Sequence, residues 1–128
     1  MALILVVEDS PTQTYSLKKL LTKYGHKVIT AEDGEQGVEL AKKELPDLIL
    51  MDIVMPKLDG FQATRLLTRN AKTRHIPIIL VTNKDQETDE LWGKRQGAKL
   101  YVTKPVDEHS LMRNINELLI TPNHPERA

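Results

Sequence analysis

Polar side chains follow four of the apolar runs in this sequence. Glu8 and Asp9 come directly after the first run, Asp52 ends the third, Thr82 ends the fourth, and Lys104 comes just after the fifth. If these runs are parallel strands, their carboxyl ends meet at one edge of a sheet, and the five side chains converge there. Carboxylates that lie close together repel one another and hold protons more tightly. A divalent cation relieves that repulsion, and an all-oxygen ligand set favours Mg²⁺ over Zn²⁺.

The predicted cluster has the groups that phosphoryl transfer requires. Asp9 and Asp52 could bind the cation directly, and Glu8 either directly or through water. The cation would neutralise a phosphoryl group, while Lys104 would pair with one of its oxygens and the Thr82 hydroxyl would donate a hydrogen bond to another. An aspartate can itself attack the phosphorus atom and form an acyl phosphate. Asp52 ends the central strand of the predicted sheet, so we predict that it is the phosphoryl acceptor.

The elements that position these groups alternate strictly along the chain. Short runs rich in Ile, Leu and Val predict buried strands, and the longer stretches between them carry leucines at helical spacing, which we assign to the core. We predict strands at residues 3–7, 27–31, 47–52, 76–82 and 100–103, each followed by a helix, the fourth helix over residues 84–96 and the fifth over residues 107–119. This order predicts an α/β fold, a doubly wound five-stranded parallel sheet with helices on both faces.

Composition excludes several other classes of protein. The chain has 128 residues and no Cys, which excludes disulfide frameworks, thiolate zinc sites and iron–sulfur clusters. Its 18 Lys and Arg residues balance 18 Asp and Glu residues, so we expect no nucleic-acid partner. Its apolar runs are far shorter than the ~18 residues that cross a bilayer, so we expect no membrane insertion and a cytoplasmic protein. We predict one domain over residues 1–120 and a flexible polar tail over residues 121–128.

The same residues mark a resemblance to a known family. Over about residues 3–119 the sequence resembles the receiver domains of two-component response regulators, and its size is similar to that of the single-domain, CheY-like members. The matching motifs are Glu8-Asp9, Asp52, Met55-Pro56, Asp59-Gly60, Thr82 and Lys104-Pro105. The resemblance implies the (βα)5 flavodoxin-like receiver fold with strand order 2-1-3-4-5. Residues 92–93 and 95–98 are also similar to single-domain regulators of type IV pilus twitching motility.

The resemblance assigns the acceptor and the metal site. Asp52 matches the phosphoacceptor of the family, and Mg²⁺ is then bound by Glu8, Asp9, Asp52 and the backbone carbonyl of Val54. The side chains of Val54 and Lys84 flank the route of a water molecule that would attack the phosphoryl group. Because the apolar Val54 side chain cannot orient this water, we predict slow self-dephosphorylation.

The resemblance also assigns a switch. Thr82 and Lys104 match the hydroxyl and the lysine that contact the phosphoryl group, and the Lys104–Pro105 peptide is commonly cis in the family. Thr82 and Tyr101 match the switch pair. Phosphorylation is expected to draw Thr82 toward the phosphoryl group and to let Tyr101 rotate inward from an exposed position.

The resemblance implies a phosphorylation-switched signalling protein rather than a turnover enzyme. The phosphodonor is expected to be a chemotaxis-like histidine kinase, and the surface of the fourth helix, fifth strand and fifth helix is expected to change shape. Because little chain follows the fifth helix, we expect no output domain. The protein would then regulate a downstream protein target by direct contact, or act as a phosphate sink, as a monomer or weak dimer.

Two other functions stay open on the residues alone. A phosphohydrolase also forms an aspartyl phosphate, but it usually needs a cap or a further acid two residues past the nucleophile, where this chain has Val54. A flavin or nucleotide carrier would have a phosphate-binding loop rich in Gly, Ser or Thr after the first strand, whereas residues 8–12 read EDSPT and would repel phosphate unless a cation intervened.

Two further residues carry expectations about surfaces. Asn83 departs from the family, in which a small residue follows the switch hydroxyl, so its side chain is expected either to hinder small phosphodonors or to add a hydrogen bond. Trp92, on the predicted fourth helix, is expected to be a half-buried anchor rather than a contact for a partner.

Overall fold

The computed structural model describes residues 1–83 and 87–120, over which strands and helices alternate as predicted. The strands are β1 (Leu3–Val7), β2 (Lys27–Ala31), β3 (Leu48–Asp52), β4 (Ile78–Thr82) and β5 (Leu100–Thr103). The helices are α1 (Pro11–Lys23), α2 (Gly34–Glu44), α3 (Gly60–Thr68), α4 (Glu87–Arg95) and α5 (Glu108–Ile120). Lys84 and the predicted tail, residues 121–128, lie outside the described residues. Within these ranges, no helix has both the length and the apolar character needed to cross a membrane.

The five strands form one parallel sheet in the order β2-β1-β3-β4-β5. This confirms the predicted α/β fold and its strand order. Val7 pairs with Met51, and Asp52 pairs with Val81, the residue before Thr82. The carboxyl ends of β1, β3 and β4 therefore lie side by side, and the residues that follow them share one edge of the sheet.

The two faces of the sheet carry separate apolar clusters. Successive side chains of a strand point to opposite faces, so Ile4 and Val6 of β1 face one cluster while Leu5 and Val7 face the other. Helices α1 and α5 cover the first face, and α2 and α3 cover the second. The inner strands β1, β3 and β4 are almost wholly buried, as the continuous apolar runs predict for a parallel sheet, whereas the edge strands β2 and β5 are only partly buried.

Short polar side chains cap the amino ends of α1, α2, α3 and α5; at α5 the Asp107 carboxylate accepts a hydrogen bond from the Ser110 N–H at 2.9 Å. The Ser10 hydroxyl accepts a hydrogen bond from the Gln13 N–H at the start of α1, and the Asp33 carboxylate accepts one from Gln36 at the start of α2. Asp59 caps α3 with two reciprocal hydrogen bonds. The Asp59 carboxylate accepts from the Gln62 N–H, and the Gln62 side-chain oxygen accepts from the Asp59 N–H. These caps fix where each helix leaves the edge of the sheet at which the strands end.

Two predicted strands begin later than expected. β3 starts at Leu48 rather than at residue 47, and β4 starts at Ile78 rather than at residue 76. Pro77 explains the second difference, because it has no N–H to donate to the sheet, although its carbonyl accepts a hydrogen bond from the Ile49 N–H.

The predicted burial of the helix leucines is wrong at three positions, whereas Trp92 is half-buried, as we expected. Leu45, Leu66 and Leu91 are about half exposed, and Trp92 is 48% exposed. The reason on α4 is Gly93, since a Cβ atom built there would lie 2.5 Å from Leu80 Cδ1. The helix packs against the sheet through this glycine, and the two side chains before it therefore point away from the sheet.

Candidate functional site

Three carboxylates meet where β1 and β3 end. Glu8 and Asp9 follow β1, and Asp52 is the last residue of β3. One carboxylate oxygen of each lies within 4.8 Å of those of the other two. Glu8 and Asp52 are buried, whereas Asp9 is exposed. The predicted convergence of these three side chains is therefore observed, with one open side toward solvent.

The chain after β1 holds Glu8 in place. Its N–H donates to the Ala31 carbonyl of the neighbouring strand at 3.0 Å, which extends the pairing of β1 with β2 by one residue. The Ser10 N–H donates to Glu8 Oε2 at 3.2 Å, and the Thr14 hydroxyl donates to the Glu8 carbonyl at 3.3 Å. The loop and the first turn of α1 thus fix both the backbone and the carboxylate of this residue.

Gly60 brings the start of α3 against the backbone of Asp52. A Cβ atom at residue 60 would lie 2.3 Å from the Asp52 carbonyl oxygen, a distance that no larger residue could accommodate without moving the backbone. The Gly60 N–H also donates to the Ile53 carbonyl at 2.8 Å. This contact closes the loop that contains Val54, whose side chain is 75% exposed.

Lys104 reaches the carboxylates from the loop after β5. Its ammonium group donates to Glu8 Oε1 at 2.9 Å and to Asp52 Oδ1 at 3.3 Å, and it also donates to Gln13 Oε1. The Lys104 side chain is only 12% exposed. The peptide between Lys104 and Pro105 is cis, as the family resemblance implies.

Gln13 was not among the predicted site residues. The signal available was its position, because it is the third residue after Ser10 and lies on the first turn of α1, whose amino end faces the edge where the strands end. The direction in which a side chain on that turn points depends on how the helix is rotated against the sheet, and the sequence pattern does not give this rotation.

Burial and charge together make Asp52 a weak acid in this structure. The pKa of Asp52 is raised to about 6, mainly by burial and next by the negative charge of Glu8, while Lys104 acts in the opposite direction. In the described part of the chain, three carboxylates thus face one ammonium group. The donors are all oxygen atoms at a partly open site, which fits Mg²⁺, a cation that prefers one or two carboxylates and retains several water molecules.

The predicted switch residues Thr82 and Tyr101 lie on the neighbouring strands β4 and β5. Thr82 is buried at the end of β4, next to the strand that carries Asp52. Tyr101 pairs with Leu80 and is half-buried against the apolar cluster under α2 and α3. The expectation that the Tyr101 ring starts from an exposed position is therefore wrong for this structure. The ring lies beside Gly93, where the absence of a side chain lets α4 approach it.

A groove of about 520 Å³ opens next to Lys104, between α1 and the chain that leads into α5. Its walls are apolar along Leu17 and Val106, and Asn83 lines it together with Lys104. Asn83, the departure from the family noted above, is thus an exposed residue at the entrance to the site.

Comparison with known proteins agrees with the geometry. Residues 4–116 match the family described as the response regulator receiver domain. The chain is 61% identical to protein PilH of Pseudomonas aeruginosa over 93% of this chain and 98% of that protein. It is 39% identical to the response regulator PleD of Caulobacter vibrioides over 91% of this chain but only 26% of PleD.

A solved structure extends the comparison to the metal site. The receiver domain of a sensor histidine kinase from Pseudomonas aeruginosa superposes with a TM-score of 0.87 at 32% identity, over 94% of this chain and 98% of that one. That structure has a magnesium ion coordinated in its active-site cleft. The family match covers residues 4–116, and PilH is 61% identical over nearly its whole length. This chain therefore belongs to the response regulator receiver domain family.

Proposed function

We propose that Asp52 accepts a phosphoryl group from a histidine kinase in a reaction that depends on Mg²⁺. The proposed metal ligands are Glu8, Asp9, Asp52 and the backbone carbonyl of Val54. The observation that carries the proposal is the ammonium group of Lys104, which contacts the carboxylates of both Asp52 and Glu8 at the edge of the sheet. A buried carboxylate beside a cation site and a lysine is the arrangement that phosphoryl transfer requires.

The chain's own residues account for each part of the transfer. A carboxylate oxygen of Asp52 attacks phosphorus, the bond from phosphorus to the kinase histidine breaks, and the electron pair of that bond leaves with the imidazole. Lys104 pairs with one phosphoryl oxygen, and the Thr82 hydroxyl donates a hydrogen bond to another. Bound Mg²⁺ supplies neutralisation of the remaining negative charge.

We propose that phosphorylation changes the surface of the protein and that the protein acts as a switch rather than as a turnover enzyme. Thr82 moves toward the phosphoryl group, Tyr101 repacks, and the face formed by α4, β5 and α5 changes shape. The exposed Leu91 and Trp92 on α4 support a protein contact on this face. The partner is a downstream protein, or else the chain acts as a phosphate sink, and we propose a monomer or weak dimer.

Likeness to PilH supports a place in a chemotaxis-like pathway of twitching motility. The 61% identity covers nearly all of both chains. A kinase that draws on ATP acts in the cytoplasm, so the proposal also places this protein there. Phosphotransfer profiling against the histidine kinases of the same organism would identify the donor.

Incubation with phosphoramidate and Mg²⁺, followed by intact-mass measurement, tests the acceptor. We expect one added phosphoryl group, none in Asp52→Asn, and normal addition in the matched variant Asp47→Asn, which changes an aspartate at the other end of the same chain segment. Persistent addition to Asp52→Asn would contradict the proposal. Steady release of phosphate from an ester would instead favour a phosphohydrolase.

A further inference from the structure

Gln13 contacts the lysine of the site, although the proposed reaction gives it no part. Its amide oxygen accepts a hydrogen bond from the Lys104 ammonium group. Its own backbone N–H donates to the Ser10 hydroxyl at 3.3 Å, which places Gln13 in the capped first turn of α1. The same loop fixes Glu8 through the Ser10 N–H. Gln13 is therefore attached to the structure that positions the metal-site carboxylates.

The three acceptors around Lys104 differ in charge. An ammonium group has three N–H donors, and here Glu8, Asp52 and Gln13 accept from it. The two carboxylates hold the lysine but also neutralise its positive charge. The amide of Gln13 holds the lysine without neutralising it, because its side chain carries no charge.

We propose that Gln13 is a positioning residue for phosphoryl transfer, which keeps the Lys104 ammonium group beside Asp52 and leaves its charge available for the incoming phosphoryl group. This inference rests on the proposed function. A cation held by Glu8 would compete with Lys104 for the Glu8 carboxylate, and one N–H of the lysine would then be released. Gln13 keeps the lysine in place, so that the released N–H can turn to a phosphoryl oxygen.

Two substitutions distinguish the effect of holding the Lys104 ammonium group in place from the effect of neutralising its charge. Gln13→Met keeps the length of the side chain and suits a helix, but it removes the acceptor. Gln13→Glu keeps an acceptor and adds a negative charge. We expect both to lower the initial rate of phosphorylation by phosphoramidate about tenfold, the first because a hydrogen bond to a charged group is lost and the second because the lysine is neutralised.

The mobility of the Lys104 ammonium group separates the two causes. Nitrogen-15 relaxation of the lysine side chains, measured on the metal-free protein, should show a more mobile Lys104 in Gln13→Met and a wild-type signal in Gln13→Glu. Ser16→Ala is the matched control, since Ser16 lies on the same helix and lines the same groove. It should leave both the rate and the Lys104 signal unchanged.

Three results would overturn the inference: unchanged Lys104 mobility in Gln13→Met, a rate within twofold of wild type in that variant, or a wild-type rate in Gln13→Glu. Its failure is distinguishable from failure of the proposed function. If wild-type protein is phosphorylated on Asp52 while the Gln13 variants behave like wild type, only the role of Gln13 is lost. If wild-type protein takes up no phosphoryl group, the proposed function itself is lost.

Discussion

Asp47 and Asp52 lie at opposite ends of β3, and their carboxylates affect the stability of the fold in opposite directions. Asp47, just before β3, is exposed, and its carboxylate accepts a hydrogen bond from the Leu3 N–H at 2.8 Å, which fastens the start of β1. Asp52, the last residue of β3, is buried beside Glu8, and its pKa is raised to about 6. The Asp47 carboxylate accepts a hydrogen bond from a backbone N–H, whereas burial and the nearby negative charge of Glu8 disfavour the ionised form of Asp52.

The comparison shows why residue type alone does not identify a site. Both residues are aspartates next to the same apolar run, and both would suit a loop. The two residues differ in the edge of the sheet at which they lie. Asp52 lies at the carboxyl edge, where the ends of β1, β3 and β4 meet the loop after β5, and Asp47 lies at the opposite edge. Repulsion between buried carboxylates that a bound cation would relieve is typical of a functional site rather than of a stabilising contact.

The largest expected effect concerns phosphorylation. Asp52→Asn removes the attacking carboxylate and should lower phosphoryl incorporation by at least about a thousandfold. Asp47→Asn should leave incorporation unchanged and lower the free energy of unfolding by no more than about 1 kcal/mol, because the amide oxygen can still accept from Leu3. Initial rates from intact-mass measurements and urea unfolding check both. Equal rates in the two variants would remove the distinction between the two ends of the strand.

The second prediction compares two lysine ion pairs. Lys104→Met leaves Glu8 and Asp52 buried without their cation, and it should lower the free energy of unfolding of metal-free protein by about 3 kcal/mol. Lys23→Met removes an ion pair with Glu108 whose lysine is 67% exposed, and it should cost far less, because water screens an exposed ion pair. Urea unfolding in a chelator measures both, and similar costs would contradict the account.

The third prediction is a pH dependence that belongs to Asp52. Its pKa of about 6 lies above the value of 3.8 for an unperturbed aspartate. This group therefore stabilises the metal-free fold most fully below pH 3.8, and the contribution is lost as the pH rises through about 6. After allowance for screening by water, wild-type protein should lose about 1 kcal/mol relative to Asp52→Asn between about pH 5 and pH 7.5.

Urea unfolding at the two pH values checks this difference, and Mg²⁺ should raise the stability of the wild-type protein more at the higher pH. Asp47→Asn provides the control, since its difference from wild type should stay constant across the same range. A wild-type protein that gains stability relative to Asp52→Asn on going to the higher pH would have the wrong sign.

The smallest expected effect is on the lifetime of the phosphoryl group. Val54→Asn places an amide where the exposed valine cannot orient an attacking water, and it should speed dephosphorylation severalfold, or by about 1 kcal/mol. Leu66→Asn, at another half-exposed apolar position, serves as the control. Decay of radiolabelled protein after removal of the donor measures both. Equal lifetimes in the two variants would count against a role for Val54.

The sequence was sufficient to predict the sheet and the convergence of the carboxylates. Both follow from topology, because continuous apolar runs identify the strands and strict alternation makes them parallel. Asp52 and Lys104 lie 52 residues apart, yet each is fixed by the end of a strand. This is why the predicted cluster agrees with the observed one.

The features that the sequence pattern does not predict depend instead on how the helices pack against the sheet. Gln13 reaches Lys104 because of the way α1 packs on the sheet, and Leu91 is half exposed because Gly93 is the point at which α4 contacts the sheet. Tyr101 is half-buried for the same reason. Helical spacing identifies a face of a helix, but it does not identify which neighbour that face meets.

Calorimetric titration with beryllofluoride, a phosphoryl mimic, tests the central claim most directly. The account predicts that wild-type protein binds one beryllofluoride per chain in the presence of Mg²⁺ and none in a chelator, and that Asp52→Asn binds none in either condition. Binding that is independent of Mg²⁺, or that persists in Asp52→Asn, would contradict the claim that the carboxyl edge of the sheet is a cation-dependent site for an anion.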